Sequence, residues 1–371
     1  LNFEAEDSGT VLDPIVITSS GAERATLAPG DGIGIRVYNA GGFVIRNLRL
    51  VGSGVAEDGT TTSTRPGISF FADSPGSIKY PLVHLDQLEV TGFGNRGVVV
   101  GGFNASTGYD DVRITNVVAH GNLRSGIETY GFTDVSNALT SVYVGHCRSF
   151  HNVGSPAQEA HGIVLGGVDG GVVERCLAYD NGQNNRSLGI WAYTSTNVTI
   201  QFNESHSNKT AGETGGVGFA LDQGVTNSVM QYNYSHDNDG AGYLLFGGFG
   251  TQANANNAVR YNISENDGRN PLTPAAGGIE IGSVVRDLNV YGNTIFMDGS
   301  GVSIDTPAVY IFGGILDPTR VLLANNLFVT ASGSRMIRVE LFFTGIVTFA
   351  GNNYWPSGST LVIDYNETTY N

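Results

Sequence analysis

Short runs in which every second residue is apolar recur along the whole chain, and nearly all of them open with a glycine. Strict alternation of apolar and variable residues predicts a β-strand with one buried face. Successive runs are separated by about thirty residues, a period within the range of solenoid repeats. The runs follow the pattern Gly–apolar–x–apolar–x and read GIRVY (34–38), GISFF (67–71), GVVVG (97–101), GIETY (126–130), GIVLG (162–166), GIWAY (189–193), GFALD (218–222), GYLLF (242–246) and GIEIG (278–282), with weaker copies AVYIF (308–312) and MIRVE (336–340).

A second repeated stretch lies between these runs and ends in turn-forming residues. Two or three short strands per repeat, with turns at Asn, Asp or Gly and no helical period, predict an all-β fold. The expected architecture is a right-handed parallel β-helix (solenoid) of about eleven coils. We expect one structural domain, with an entry or cap segment at 1–32, the β-helix at 33–354 and a closing segment at 355–371. The copies read VVAHGN (117–122), CRSFHN (147–152), CLAYDN (176–181), NESHSN (203–208), NYSHDN (233–238) and NISEND (262–267).

From about Ile33 to Tyr354 these repeats resemble those of the asparagine-rich right-handed β-helix proteins. That superfamily includes pectate lyases, polygalacturonases, alginate lyases, mannuronan epimerases and phage tailspikes. The resemblance implies the fold, whereas the chemistry depends on the side chains of the individual site, because one scaffold hosts many reactions.

Alignment of the second stretch places several polar residues in columns that repeat from coil to coil. Asn233 stacks on Asn203 and Asn262, and His236 occupies the position that His206 has in the preceding coil. Stacked Asn side chains hydrogen-bond along a solenoid and satisfy the backbone groups of its turns. We therefore interpret Asn233 and His236 as structural residues, and we expect no metal site.

The two cysteines share one of these columns. Cys147 and Cys176 fall in successive coils, which are ~4.8 Å apart and therefore within reach of a disulfide. An inward stack of two free thiols is also compatible with this position. We favour free thiols, because the other members of the column are Asn residues that point inward.

The net charge of the chain argues against one class of binding partner. The formal net charge is −15, and the only lysines are Lys79 and Lys209. An acidic chain repels phosphate backbones, which argues against nucleic acid, and no apolar run approaches the ~20 residues of a membrane span.

The chain starts at Leu1 without a visible signal peptide, so we expect a processed form of a secreted or periplasmic bacterial protein. We also expect it to act as a monomer.

In each Gly–apolar–x–apolar–x run, the two variable positions (x) point away from the core. A solvent-facing strand favours Thr, Ser, Lys or Glu, yet these positions interleave aromatic rings with carboxylates. Aromatic faces stack on sugar rings, and neighbouring acids bind hydroxyls or transfer protons. We predict a polysaccharide-binding face, while the loops at 154–161 and 268–278 could either cover it or form its walls. The predicted binding residues are Glu128, Trp191, Phe246, Tyr310, Phe312, Arg338 and Glu340, with Asp239 at a strand start.

Asp222 and Glu280 are the favoured catalytic residues, two coils apart on this face. An offset of two residues along the strand puts their Cα atoms roughly 11–12 Å apart, at ~4.8 Å per coil and ~3.3 Å per residue. Their carboxyl groups could then approach the ~6.5–9.5 Å separation of an inverting glycosidase. Tyr193 neighbours Asp222 in the preceding coil and His161 flanks a strand start, and both are further catalytic candidates.

A local resemblance raises a second hypothesis. The segment ETYGF (128–132) resembles the start of the Tyr-Gly-Phe-Asp-Pro-His motif of mannuronan C5-epimerases, with TDVS (133–136) where that motif continues with Asp-Pro-His. The resemblance implies that Tyr130 donates or accepts a proton. Lyases and epimerases also need cations beside the uronate carboxylate, and Ca2+ could bridge an acidic cleft to such a substrate.

These observations give three hypotheses for the function. The first is a glycoside hydrolase that requires no cofactor, because acids at the centre of the face repel polyuronates and suit a neutral glycan. The second is a Ca2+-assisted polysaccharide lyase or uronate C5-epimerase. The third is a non-catalytic glycan-binding or adhesive solenoid.

Overall fold

The computed structural model describes the chain except for residues 22, 133–136, 213, 249–251, 253, 271–275, 300, 303–304, 315, 332–333, 341–342, 358–360, 366–367 and 371. The TDVS segment and part of the loop at 268–278 therefore lie outside the described residues. The chain groups into two compact units. Unit 1 is Leu1–Asn185 with Thr194–Val198, and unit 2 is Arg186–Tyr193 with Thr199–Asn371.

Unit 1 consists of short strands joined by turns, with a 3-10 helix at Ala5–Asp7. Its strands are β1 (Asn2–Phe3), β2 (Ile15–Thr18), β3 (Ala25–Gly30), β4 (Ile35–Tyr38), β5 (Phe43–Gly52), β6 (Ile68–Ala72), β7 (Lys79–Thr91), β8 (Val98–Gly102), β9 (Gly108–Thr115), β10 (Val118–His120), β11 (Ile127–Tyr130), β12 (Leu139–Gly145), β13 (Arg148–Phe150), β14 (Ile163–Gly166), β15 (Val168–Glu174) and β16 (Leu177–Tyr179).

Parallel pairing between strands one repeat apart builds unit 1. Its first sheet has the order β1-β4-β6-β8-β11-β14. In its second sheet β5, β7, β9, β12 and β15 are successive neighbours, and β2 and β3 of the entry segment both pair with β5. The apolar positions of these strands point inward, where the rings of Phe43, Phe70 and Tyr109 meet edge to face at 5.8–5.9 Å.

Unit 2 repeats the same arrangement. Its strands are β17 (Leu188–Tyr193), β18 (Thr196–Gln201, shared with unit 1), β19 (Glu204–His206), β20 (Val217–Leu221), β21 (Val229–Gln231), β22 (Tyr234–His236), β23 (Tyr243–Phe246), β24 (Asn254–Ala255), β25 (Ala258–Arg260), β26 (Ile263–Glu265), β27 (Ile279–Gly282), β28 (Val285–Tyr291), β29 (Thr294–Met297), β30 (Val309–Phe312), β31 (Thr319–Ala324), β32 (Leu327–Thr330), β33 (Arg335–Val339), β34 (Val347–Ala350), β35 (Asn353–Pro356), β36 (Val362–Tyr365) and β37 (Thr368–Tyr370).

The first sheet of unit 2 has the order β17-β20-β23-β27-β30-β33-β36-β37. Every pair in it is parallel except the last, in which β37 runs antiparallel to β36. Tyr243 anchors its inner face, because its hydroxyl lies 2.8 Å from the carbonyl oxygens of both Asn233 and Ile263 and shares its one proton between them. The AVYIF run, one of the weaker copies of the repeat, forms β30 and pairs with β27, which confirms its prediction as a strand of this sheet. The expected all-β parallel β-helix is confirmed in each unit.

A ladder of asparagines, all buried except the half-buried Asn352, fixes one corner of unit 2. At every step the backbone N–H and the side-chain Nδ2 both donate to Oδ1 of the next member, at 2.9–3.1 Å. This confirms the structural interpretation of Asn233. The ladder consists of Asn203, Asn233, Asn262, Asn293, Asn326 and Asn352.

Residues that directly precede a ladder asparagine in the chain adopt the left-handed backbone conformation that the turn requires. Tyr232, Tyr261 and Asn325 have φ of 56°, 57° and 53°. A residue with a Cβ costs about 1–2 kcal/mol in this conformation, and the two ladder hydrogen bonds per corner offset that cost.

The two cysteines hold the equivalent ladder position in unit 1. Both are buried and neither forms a disulfide, which confirms the prediction of two reduced thiols. The backbone N–H of Cys147 donates to Sγ of Cys176 at 3.4 Å, as the asparagine backbone does in unit 2. In the described part of the chain, no helix has the length and hydropathy needed to cross a membrane.

Candidate functional site

The outward side chains of the first sheet form two columns in unit 2. Strand register confirms both columns as the sequence predicted them. We call them together the outward face of unit 2. One column contains Trp191, Ala220, Leu244, Glu280, Tyr310 and Arg338, and the other contains Tyr193, Asp222, Phe246, Gly282, Phe312 and Glu340.

An apolar floor occupies the start of this face. Trp191 and Leu244 pack over Ala220, together with three buried apolar residues at strand starts, Leu188, Val217 and Ala241. The indole of Trp191 also lies 5.1 Å from the ring of Tyr193. The rings keep partial exposure, so they provide a surface on which a flat apolar ligand face can stack.

A second group of rings continues the floor across Gly282. Phe312 stacks on Phe246 at 5.9 Å and on Tyr310 at 5.3 Å. A Cβ at position 282 would lie 1.9 Å from Cζ of Phe312. Any side chain there would displace the Phe312 ring, because that ring occupies the space that the Cβ would fill.

Glu280 lies between these two groups, opposite Leu244 on one side and Tyr310 on the other. Burial raises the pKa of its carboxyl to about 8, and no described residue supplies a charge or hydrogen bond that counteracts the effect. A carboxyl in this position keeps its proton at neutral pH, so it can donate it to a bound molecule.

Asp222 directly follows β20 and lies level with Tyr193 in the preceding coil, where its backbone N–H donates to the carbonyl of Ala192 at 2.9 Å. Its Oδ1 accepts the backbone N–H of Gln223 at 2.6 Å, which orients the carboxylate. It lies two strands from Glu280 and offset by two residues, as predicted. Whether these two residues act as a catalytic pair stays a prediction.

The far end of the face is held by hydrogen bonds of its own. The Tyr310 hydroxyl donates to Oε1 of Glu340 at 2.9 Å, and the backbone N–H of Gly313 donates to Oε2 at 3.2 Å. The Arg338 guanidinium lies 5.5 Å above the Tyr310 ring. Burial and the neighbouring Glu340 raise the pKa of Tyr310, so this phenol remains protonated.

Asp239 lies in the turn that leads into β23. Its Oδ2 accepts the backbone N–H of Thr210 at 3.0 Å, and its Oδ1 lies 3.7 Å from Nζ of Lys209. These contacts give Asp239 a role in holding the neighbouring turn, and its predicted contact with substrate stays a prediction.

Unit 1 has a different, ionic arrangement on its outward face. Nη2 of Arg96 donates to Oε1 of the buried Glu128 at 2.6 Å. Burial alone would raise the pKa of Glu128, but the charge and hydrogen bond of Arg96, a hydrogen bond from Ser125 and the charge of His161 together lower it. Glu128 is therefore an ionised residue held by an arginine, unlike Glu280.

Tyr130 lies on the same strand as Glu128, with its ring over Gly101 of the preceding strand, β8. A Cβ at Gly101 would lie 2.3 Å from that ring. Burial raises the pKa of Tyr130 to about 12. Nε2 of the buried His161 lies 3.4 Å from Oε2 of Glu159, and its carbonyl accepts the N–H of Gly126.

Arg96 and Ser125 were not among the residues expected at this site. Both directly precede the glycine that opens a repeat, as His161 does, and their carbonyls accept glycine N–H groups at 3.0–3.1 Å. The position before each repeat glycine was therefore the signal that would have found them. In unit 2 the same position carries the apolar Leu188, Val217 and Ala241.

The fold and this face define a parallel β-helix protein whose outward strand positions carry rings and carboxyl groups. Residues 75–314 match the family described as "Right handed beta helix region". That match covers more than half of the chain, so the chain belongs to this family. A comparison with curated protein sequences finds no match.

Several solved structures have a similar fold. A GH136 lacto-N-biosidase from Eubacterium ramulus matches with a TM-score of 0.63 and 15% identity, covering 96% of this chain and 59% of that chain. The A-module of a mannuronan C-5 epimerase from Azotobacter vinelandii has a TM-score of 0.55 and 15% identity, covering 97% and 88%.

A third structure is a DFA-IIIase from Arthrobacter chlorophenolicus, with a TM-score of 0.52 and 14% identity, covering 88% of this chain and 82% of that chain. At these identities the similarity shows the fold alone. The chain spans 59% of the length of the lacto-N-biosidase.

Proposed function

We propose that the chain binds a glycan along the outward face of unit 2 and hydrolyses it, with Glu280 as the general acid and Asp222 as the base or nucleophile. The observation that carries this proposal is the Glu280 carboxyl, whose pKa burial raises to about 8. A general acid must hold a proton at the working pH and release it to the leaving group, and a raised pKa provides this.

The surroundings of Glu280 favour a neutral glycan. Rings of Trp191, Phe246 and Phe312 offer stacking surfaces on both sides of the carboxyl. Arg338 is the cation predicted on this face; it lies two strands from Glu280 and packs over the Tyr310 ring. A polyuronate would bring further carboxylates to an acidic face, whereas a neutral sugar meets no such repulsion.

The names of the structural neighbours also support a saccharide substrate. One is a lacto-N-biosidase of glycoside hydrolase family GH136 and another is a mannuronan C-5 epimerase. An enzyme on polysaccharides also fits the secreted or periplasmic location expected from the sequence.

Product analysis with a panel of neutral and uronate-containing oligosaccharides tests the proposal. We expect new reducing ends from a neutral glycan, and a loss of about 10²–10⁴-fold in rate in Glu280→Gln and in Asp222→Asn. Glu23→Gln is the matched control, because it makes the same chemical change at an exposed residue. Full activity in either site variant would remove that residue from the mechanism.

The lyase or epimerase hypothesis places the chemistry in unit 1 instead. Arg96 supplies a cation there and Tyr130 a proton donor on the adjacent strand. In that case Tyr130→Phe would abolish activity while Glu280→Gln retained it, and a lyase would release unsaturated products that absorb in the near ultraviolet. Dependence on added Ca2+ would support its assisted form. Binding without cleavage of any glycan would instead indicate the adhesive role.

A further inference from the structure

A cluster of imidazole and carboxylate groups lies on the outer side of β19 and β22, on a different sheet from the proposed catalytic face. Glu204, His206 and His236 each offer one ligand atom, and these atoms all lie within 4.8 Å of one another. Strand register places His206 directly opposite His236. The sequence separates the two histidines by a whole repeat, so no short motif reveals them.

The two imidazole rings stack at 4.7 Å with an angle of 15° between their planes. The Tyr234 ring, on the same strand as His236, lies 4.5 Å from the His236 ring with an angle of 24° between their planes. Parallel strands thus hold both histidines at the spacing of adjacent coils, and only their side-chain torsions are left to change.

His236 faces a carboxylate at each ring nitrogen. Its Nδ1 lies 2.8 Å from Oδ2 of Asp237, and its Nε2 lies 3.2 Å from Oε1 of Glu204. A neutral imidazole carries a single N–H, so it can donate to only one of these two carboxylates. Asp237 makes the shorter contact and favours the proton on Nδ1, as carboxylates do for metal-bound histidines. This leaves the Nε2 lone pair directed toward Glu204.

We propose that Glu204, His206 and His236 bind a divalent transition metal ion, with Zn2+ the best match. Two imidazole nitrogens and one carboxylate oxygen are a common zinc ligand set, whereas Ca2+ and Mg2+ prefer oxygen ligands throughout. Tetrahedral metal–ligand distances of about 2.0–2.2 Å place ligand atoms roughly 3.3–3.6 Å apart. Nε2 of His236 and Oε1 of Glu204, at 3.2 Å, already have this spacing, and any pair that lies further apart must draw closer together. Rotation about the ring torsions achieves this, because those torsions are broad.

Neighbouring residues define the limits of the site. Glu265 continues the column after His236, but its Oε2 accepts the Tyr234 hydroxyl at 2.5 Å and is held there. Asp237 also forms an ion pair with Arg269. This pair holds the Asp237 carboxylate beside Nδ1 of His236, on the ring nitrogen that does not face Glu204. The metal would have three protein ligands, with its remaining position open to water, and would join two successive coils.

Zinc titration of the tag-free full chain by calorimetry tests this site. We expect one Zn2+ bound per chain, with affinity reduced at least about tenfold in Glu204→Gln, His206→Gln and His236→Gln, and about tenfold or more in Asp237→Asn, since supporting carboxylates contribute 10–100-fold. The melting temperature of the wild type should rise with Zn2+ and return on chelation, because a metal that binds only the folded state stabilises it.

His120→Gln is the matched control. His120 occupies the equivalent column position in unit 1 and lies 3.5 Å from Oε1 of Glu89, but its neighbour in the next coil is Phe150. This variant should bind Zn2+ as the wild type does. Equal zinc affinity in the wild type and His206→Gln, or Ca2+ binding as tight as Zn2+ binding, would overturn the proposal. Circular dichroism of each variant separates loss of a ligand from loss of the fold.

Discussion

Replacing Glu280 by glutamine should change how the stability of the protein depends on pH. Burial raises the pKa of this carboxyl to about 8 in the folded state, against an ordinary value of 4.5. Between these pH values the folded state holds a proton that the unfolded state has lost, so the free energy of unfolding falls as pH rises. At about 1.36 kcal/mol per pH unit the interval gives about 5 kcal/mol, and the partial exposure of Glu280 reduces this to roughly 2–4 kcal/mol.

Urea unfolding of wild type and Glu280→Gln, measured from about pH 5 to about pH 9, tests this reasoning. The amide cannot ionise, so the variant should gain stability relative to the wild type across that range, by the same ~2–4 kcal/mol. The difference between the two proteins isolates Glu280, because all other titrating groups are common to both. Parallel curves would mean that Glu280 titrates as an ordinary carboxyl, and its assignment as the general acid would then be wrong.

Three other substitutions probe the fold and the unit 1 site. Asn233→Ala should lower the free energy of unfolding in urea by about 2–4 kcal/mol, because it leaves buried ladder groups without partners, and an unchanged midpoint would contradict the role of the ladder. Burial raises the pKa of Asp267 from 3.8 to about 6. The free energy of unfolding of the wild type should therefore fall as pH rises between these two values, and in Asp267→Asn it should fall less. Gly101→Ala should displace the Tyr130 ring and destabilise by about 1–3 kcal/mol; an unaltered near-ultraviolet circular dichroism spectrum would show that the ring had not moved.

The sequence was sufficient for the fold and for the register of the outward face. Alternation within each run determines which residues point inward, and the repeated glycine aligns one run with the next. The prediction that Asn233 belongs to a ladder followed from the same alignment. These features depend on local pattern and on a regular period, both of which are visible in a single sequence.

The sequence did not show whether each carboxyl is ionised or protonated, because its pKa depends on contacts with residues in neighbouring coils. Glu128 and Glu280 occupy the same position in their strands, yet Arg96 keeps the first ionised and burial keeps the second protonated. The column interpretation also explained why His236 occurs where it does. It did not show that Glu204 and His206 bring their ligand atoms close to it.

The asparagine ladder sets where each coil turns but leaves the length of the coil free. Its successive steps span 30, 29, 31, 33 and 26 residues, and each ends in the same pair of hydrogen bonds. Loops can therefore lengthen or shorten without disturbing the next corner. Each interval from one ladder asparagine to the next is consequently an exchangeable module, so a designer could excise or duplicate one coil and thereby move the rings and carboxyl groups of the outward face of unit 2 closer together or further apart.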